Sequence, residues 1–277
     1  MSMVLVCGHA QQKQGRVFRP RYNQFGADNV KEIGKSKIRI RYAFQAQDLN
    51  DEETWIDCGQ LLAWNDMTQY SSYYVSENNA YIRQWIKDNP NKNYYPGAAK
   101  LKGRGKDYWS EYQYSQIYVS GKELTEWAVM PTAEYQQWRY KEEWPSMQWT
   151  LGTEKQTICG YQCQQATCHW RGRDYVAWFT SDIPMMSGPW KFGGLPGLIM
   201  KVYDTEHLYT WEAVAVENGS FPVYQLDERR FKDSDRKKVL KMQRDWNMKH
   251  AELAGVMRKG TNIPITTRYP FDQLELE

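Results

Sequence analysis

A turn-rich segment at residues 187–200 constrains the fold more than any other part of the sequence. It contains four glycines and two prolines. Gly188-Pro189, Gly193-Gly194 and Pro196-Gly197 each favour a tight turn, and a glycine after a proline supplies the positive φ of a type II turn. Large apolar residues separate these turns: Trp190, Phe192, Leu195, Leu198 and Ile199. We therefore predict an ordered, partly buried corner that leads into a strand over 198–203.

Alternating apolar and polar residues predict antiparallel strands along most of the chain. Ile38, Ile40, Tyr42 and Phe44 alternate with polar or small residues, which is typical of a strand with one solvated face. The aromatic content of 15% also favours strands. Short connections predict hairpins, of which one pairs 157–170 with 175–180. The other predicted strands are 55–64 (broken near Gly59), 69–75, 115–119, 126–130, 135–143, 149–151, 198–203 and 208–216.

Two stretches have helical spacing. The first is 77–88, which Pro90 would end. The second runs from a cap at Asp233 or Ser234 to about residue 254, with Gly255 beyond it. An amphipathic helix of this kind either covers a sheet or lies on a membrane surface. Its apolar face comprises Val239, Met242, Trp246 and Leu253. The predicted fold is mainly β, a curved antiparallel sheet or incomplete barrel with one or two covering helices.

Residues 1–10 resemble the end of a signal peptide. Small residues, Gly8 and Ala10, occupy the −3 and −1 positions for cleavage after Ala10; a short cytosolic N-terminus is the alternative. Val6 is large for the position before a lipidated Cys7. We predict a flexible segment over 11–36 and a single domain over 37–277. No other segment approaches the roughly 18 apolar residues of a membrane span, and a net charge of +3 does not point to nucleic acid.

Four cysteines remain if the signal peptide is removed: Cys58, Cys159, Cys163 and Cys168. In one regular strand Cys159 and Cys163 would share a face about 13 Å apart, beyond the reach of a disulfide at about 7 Å. A bridge would then need Cys58, or a bulge at Gly160. A zinc site near His169 is the alternative, but the spacing matches no common zinc motif. No metal or cofactor is predicted.

The motif Gly194-Leu195-Pro196-Gly197-Leu198-Ile199 resembles the signature of the GLPGLI family, secreted proteins of Gram-negative bacteria. Segments 160–166, 171–173, 177–180 and 183–184 resemble further blocks of that family, and 274–277 resembles its usual end. The close resemblance covers roughly 157–204. It implies secretion, to the periplasm or outer surface, and it implies no established biochemical activity.

The chemistry-bearing residues do not form a recognisable catalytic set. Cys168 and His169 are adjacent in a predicted strand and point to opposite faces, so they cannot pair locally. No catalytic residue is predicted. Arg171 and Arg173 flank a glycine at a bend and could clamp a carboxylate or phosphate; pairing with acids of this chain is the structural alternative. With the two arginines, the candidate ligand-binding residues are Trp178, Trp190 and Phe192.

Three hypotheses on function follow. The first is an exported binding or chaperone-like protein that holds an apolar or extended peptide, or another envelope protein, against its sheet. The second is an envelope hydrolase acting on peptides or glycans, which requires paired acids or a Cys–His pair to converge. The third is that the turn-rich segment is architectural, a corner formed by Gly188, Pro189, Gly194, Leu195, Pro196, Gly197, Leu198 and Ile199.

Overall fold

The computed structural model describes residues 30–94, 96–106, 109–131, 136–144 and 147–277, which form one open sheet of twelve strands with three helices. The helices are α1 (Tyr73–Asp88), α2 (Glu111–Tyr114) and α3 (Arg236–Leu253). The strands are β1 (Val30–Phe44), β2 (Asp57–Trp64), β3 (Met67–Ser72), β4 (Gln116–Ser120), β5 (Glu123–Ala128), β6 (Gln137–Glu143), β7 (Thr150–Ile158), β8 (Tyr161–Trp170), β9 (Arg173–Thr180), β10 (Leu198–Asp204), β11 (Thr210–Leu226) and β12 (Phe231–Asp233).

The strand order is β12-β6-β5-β4-β3-β2-β1-β11-β10-β9-β8-β7. Neighbouring strands in the described part of the chain are antiparallel except β12, which pairs with β6 in parallel. The sheet is not closed, because β12 and β7 are its two edges. This confirms the predicted mainly β fold with an open antiparallel sheet, although three helices pack with it where one or two were predicted.

The long strands β1 and β11 join the two halves of the sheet, with Val30 opposite Leu226 and Phe44 opposite Trp211. Alternate residues of β1 serve two cores. Tyr42 belongs to the core that includes the turn-rich segment, whereas Ala43 belongs to the core that includes buried residues of α1 and α3. The helices and the turn-rich segment therefore contribute mainly to different cores.

The turn-rich segment is ordered and buried, as predicted, and it leads into β10. Its large apolar residues are all buried. Backbone oxygens of the segment accept hydrogen bonds from side chains on other strands and loops. Tyr42 Oη donates to Ile199 O (2.8 Å), Trp144 Nε1 to Lys191 O (2.8 Å) and Trp149 Nε1 to Gly193 O (2.8 Å). Three elements distant in the sequence thus fix the path of the corner.

The strand predicted over 157–170 is wrong, because it is two strands. Cys159 (φ 51°) and Gly160 (φ 83°) both have positive φ and form the two-residue turn between β7 and β8. The break predicted near Gly59 is also wrong, since β2 runs through it. A Cβ at Gly59 would lie 2.0 Å from Tyr70 Oη, so this glycine makes room for a ring on the adjacent strand.

The helix boundaries differ from prediction where a cap decides them. Ser72 accepts a hydrogen bond from Val75 N (3.1 Å) and starts α1 at Tyr73, so the strand predicted over 69–75 ends at Ser72. Asp235, not Asp233 or Ser234, caps α3.

Val239 and Trp246 of α3 are buried on the sheet, which confirms that α3 covers the core, and Gly255 follows it with φ 65°. Leu253, predicted on the buried face, is 42% exposed. No helix in the described part of the chain is long and apolar enough to cross a membrane.

Two strands, β1 and β11, extend further than predicted. Residues 30–36, predicted as part of a flexible segment, form the start of β1. β11 continues to Leu226, ten residues beyond the predicted end at 216. A register shift between β1 and β11 accommodates Gly219, whereas Pro222 lies opposite Lys35 in continuous register. The predicted signal peptide at 1–10 lies outside the described residues.

Candidate functional site

The most unusual side chain of the turn-rich segment is Lys191, whose side chain is only 1% exposed. Its ammonium lies 2.8 Å from Glu126 Oε2 and 2.5 Å from Tyr140 Oη, and it also contacts Glu275 Oε1. Tyr140 in turn donates to Glu126 Oε2 (2.6 Å), and Gln243 Nε2 donates to Glu126 Oε1 (3.1 Å). A buried lysine is tolerated only when it is paired and hydrogen-bonded in this way.

Four separate parts of the chain supply these groups. Glu126 and Tyr140 lie on the neighbouring strands β5 and β6, where they are directly paired in the ladder. Lys191 comes from the turn-rich segment, Gln243 from α3, and Glu275 from the last residues of the chain. The site therefore exists only after the sheet, the corner, the helix and the C-terminal residues have packed together.

Two arginines complete the site at its outer side. Arg171 reaches Glu142 Oε2 (2.6 Å) and Glu275 Oε2, and Arg236 reaches Glu275 Oε2 (2.6 Å). We name the seven residues the buried ion cluster: Lys191, Arg171, Arg236, Glu126, Glu142, Glu275 and Tyr140. Three cations face three carboxylates, so the formal charges balance.

The environment of the cluster favours the charged forms of its central pair. Burial alone would lower the pKa of Lys191, but Glu126 and Glu275 hold that pKa above its ordinary value. Burial alone would raise the pKa of Glu275, but Lys191 and Arg171 lower it to about 2. Burial raises the pKa of Tyr140 well above its ordinary value. Tyr140 is therefore a neutral donor, and the lysine and the carboxylate are ionised at neutral pH.

A cavity of about 20 Å³ adjoins the cluster, and Lys191, Glu126, Glu275 and Glu111 are among its lining residues. That space holds about one water molecule. Burial raises the pKa of Glu111 to about 7, although its carboxylate accepts from Asn247 Nδ2 (2.9 Å). The ionisable groups thus converge, but the space beside them is too small for a substrate.

The two predicted ligand-clamping arginines are brought to the same C-terminal stretch, residues 272–275, and each is paired with acids of this chain. Arg171 takes part in the buried ion cluster. Arg173 lies 2.5 Å from Asp272 Oδ2 and 3.7 Å from Asp204 Oδ2, and it donates to Leu274 O (3.0 Å). The contacts therefore show pairing with acids of this chain, and those acids are distant in sequence.

The predicted aromatic ligand residues are packed among other rings. Trp190 stacks on Trp211 with ring centroids 6.1 Å apart, and Phe192 meets Tyr175 edge to face at 4.8 Å. Trp178 is 8% exposed within β9. Trp190 and Phe192 already have partners inside the protein, so a ligand would have to displace one ring to reach another.

The cysteines and histidines that the structure describes do not assemble into a reactive centre. Cys58, Cys159, Cys163 and Cys168 are free thiols. His169 Nδ1 lies 2.8 Å from Asp174 Oδ1, and both side chains are exposed. Within the described ranges no group of three or more His, Cys, Asp or Glu residues is arranged to hold a metal ion.

The sequence-based search missed Lys191, Glu126 and Glu275 as functional candidates. One signal was available, because a single lysine stands among the apolar residues of a segment that was itself predicted to be buried. Glu275 lies in the C-terminal stretch that resembles the usual end of the GLPGLI family. Glu126 had no distinguishing context, since an acidic residue in a strand is ordinarily exposed.

Comparison with known proteins gives a short family match and distant structural matches. Residues 170–201 match the model of a family described as "Protein of unknown function (Porph_ging)". This stretch includes β9 and the whole turn-rich segment, and it overlaps the resemblance to the GLPGLI family. No curated protein matches.

Two crystal structures of PNGF-II, in space groups P21 and C2, match at 14% sequence identity with TM-scores of 0.46 and 0.47. Each match covers 76% of this chain and 34% or 32% of the other. The chain therefore spans about a third of the length of those proteins. At this sequence identity and these TM-scores, the similarity supports no conclusion about the activity of this chain.

Proposed function

We propose that this chain is a non-enzymatic protein of the cell envelope, in which the turn-rich corner and the buried ion cluster hold a binding surface in shape. The position of Lys191 carries the proposal. Its ammonium is neutralised by two carboxylates in the interior, beside a cavity that holds about one water. A catalytic acid, base or nucleophile must reach a substrate, whereas the side chains of Lys191, Glu126 and Glu275 are at most 4% exposed.

Substitution of Lys191 tests the structural role of the cluster. Lys191→Met leaves Glu126 and Glu275 buried without their shared cation, so we expect a loss of about 3–5 kcal/mol in the free energy of unfolding. Urea titration followed by tryptophan fluorescence measures it. Lys141→Met is the matched control, because Lys141 and Glu123 form an exposed pair that contributes at most about 1 kcal/mol. Equal losses in the two variants would refute a structural role for the cluster.

Export is part of the proposal. It is supported by the composition of residues 1–10 and by the resemblance to a secreted family, with the periplasm or the outer surface as the destination. The experiment is expression of the full chain in a Gram-negative host, followed by fractionation and N-terminal sequencing. We expect a mature protein that begins at Gln11. A cytoplasmic protein with an intact N-terminus would contradict export.

An envelope hydrolase is the second candidate, and Glu111 favours it. Burial raises the pKa of Glu111 to about 7, while Glu275 beside the same cavity has a pKa of about 2. Two carboxyl groups whose pKa values are pushed apart are typical of a general acid and its ionised partner. Incubation of the protein with envelope peptides and glycans tests this. Product release that Glu111→Gln abolishes would establish the hydrolase and overturn the non-enzymatic proposal.

A further inference from the structure

A groove lies between α1 and the sheet. Its volume is about 110 Å³, and its walls come from α1, β1, β2, β3, β4 and β11. We name it the α1 groove and define it by the residues that carry the following steps: Arg39, Leu62, Glu77, Asn79, Arg83 and Tyr224. It shares no lining residue with the cavity beside the cluster.

Arg83 is a half-buried cation without a carboxylate partner among the residues that the structure describes. Its guanidinium lies over the Tyr224 ring at 4.3 Å from the centroid. Burial lowers the pKa of Arg83, and Tyr224 opposes that shift in part. A planar guanidinium fixed against an aromatic ring keeps its N–H fork available for a carboxylate.

Asn79 supplies a second unused group to the same groove. It lies one helical turn before Arg83, so the two side chains are neighbours on α1. Asn79 is 9% exposed, and its Oδ1 accepts no hydrogen bond from any described residue. A buried acceptor without a donor costs free energy, and a ligand N–H in the groove would remove that cost.

The other charges of the groove are already satisfied or point outward. Arg39 is paired with Glu217 (2.9 Å) and lies over the Phe221 ring at 4.3 Å. Glu77 lines the groove but is exposed. Leu62 and Leu226 provide an apolar wall. The groove therefore offers one fork of cationic donors, one buried acceptor and an apolar contact.

We propose that the α1 groove binds the C-terminal end of a peptide whose last residue is apolar. The carboxylate accepts from the Arg83 guanidinium, the amide N–H of the last residue donates to Asn79 Oδ1, and the side chain packs on Leu62. This rests on the proposed non-enzymatic binding function and names its ligand class. A carboxylate and its own amide are separated by one Cα, which suits two groups one helical turn apart.

The test is titration of the full chain with N-acetyl-leucine, followed by calorimetry and by NMR. We expect saturable binding that N-acetyl-leucinamide, which lacks the carboxylate, weakens at least tenfold. Arg83→Gln should weaken binding at least tenfold. Lys87→Gln is the matched control, because it removes the same charge one turn further along α1 at an exposed position outside the groove, and it should change affinity less than twofold.

Two further variants separate binding from folding. Asn79→Leu should weaken binding while leaving the midpoint of thermal unfolding unchanged or raised, because the unused acceptor is removed. Glu77→Gln should strengthen binding at low salt, since it removes a like charge from the rim.

The proposal is overturned if wild-type protein does not bind the probe at 10 mM, or if Arg83→Gln and Lys87→Gln have equal effects. Either result leaves the Lys191→Met experiment and the hydrolysis assay unaffected, so the non-enzymatic function is judged separately. Release of acetate and leucine from the probe would instead overturn the non-enzymatic function.

Discussion

At the scale of single residues, Gly197 shows why the turn-rich segment tolerates so little change. Its φ is 151°, and a Cβ there would lie 2.0 Å from the carbonyl oxygen of Thr180. Gly197→Ala should therefore lower the free energy of unfolding by more than about 1 kcal/mol, because backbone strain and a clash with the main chain add together. Urea unfolding measures the loss.

Gly160→Ala is the control for that experiment. Gly160 also has positive φ, at 83°, but nothing lies within 4 Å of the position that an alanine Cβ would take there. Its loss should come from backbone strain alone, about 1 kcal/mol. A loss at Gly197 no larger than at Gly160 would mean that the approach to Thr180 does not hold the corner.

Glu111 makes the free energy of unfolding decrease as the pH rises. Its pKa rises from the ordinary 4.5 to about 7 on folding, so the folded protein keeps a proton that the unfolded chain releases near pH 4.5. Stability from this group is complete below pH 4.5 and falls until pH 7. Between pH 4.5 and pH 7 this group lowers the free energy of unfolding by about 3 kcal/mol, and Glu111→Gln should remove that decrease.

Urea titrations at pH 5 and pH 8 measure that difference. Burial also raises the pKa of Asp57 to about 7, so wild type and variant share its contribution and their difference isolates Glu111. Glu275, whose pKa is about 2, lowers the free energy of unfolding only below pH 4.5, which is outside the range from pH 5 to pH 8. Parallel pH profiles for the two proteins would contradict the assignment to Glu111.

At the scale of elements, two substitutions test which residue caps the N-terminus of α3. Asp235 accepts from Lys238 N (2.9 Å), whereas the preceding Ser234 Oγ is buried without a partner in the described structure. Asp235→Ala should lose about 1 kcal/mol, and Ser234→Ala should lose nothing or stabilise slightly. Thermal unfolding of the two variants decides between them. A larger loss of stability in Ser234→Ala than in Asp235→Ala would mean that Ser234, one of the two residues favoured by the sequence, caps α3.

Elements were predictable where local pattern decides them and not where distant pairing does. The alternation from Ile38 to Phe44 predicted β1 because one face of the strand is buried. The same strand begins at Val30 only because β11 pairs with it, and β11 continues beyond Gly219 because a register shift accommodates that residue. No local pattern contains that information.

The candidate site was less predictable than the fold for the same reason. Arg171 and Arg173 could be singled out beside their glycine, but their partners Glu275 and Asp272 are about a hundred residues away along the chain. Lys191 stands in a segment that the sequence identifies as a buried corner. Only the fold shows that Glu126 meets it there.

At the scale of the whole molecule, the four described cysteines are distributed so that the folded sheet protects three of them. Cys58, Cys163 and Cys168 are buried, and Cys159 in the turn between β7 and β8 is exposed. Burial raises the pKa of Cys163 to about 11 and that of Cys168 to about 12, and it raises the pKa of Cys58 further. The thiolate is the reactive form, so burial suppresses both access and reactivity.

The native protein treated with iodoacetamide at pH 8 should therefore be alkylated at Cys159 before the other three described cysteines. The three buried thiols should react only after the sheet unfolds in urea, and peptide mapping by mass spectrometry locates each label. Cys159→Ser is the control, since it should remove the fast label and leave the slow ones unchanged. Because all four thiols are free, a reducing agent should not shift the thermal midpoint. A disulfide-linked peptide that contains one of these four cysteines, or labelling of Cys58 as fast as Cys159, would show that the sheet does not enclose these residues as a single packed unit.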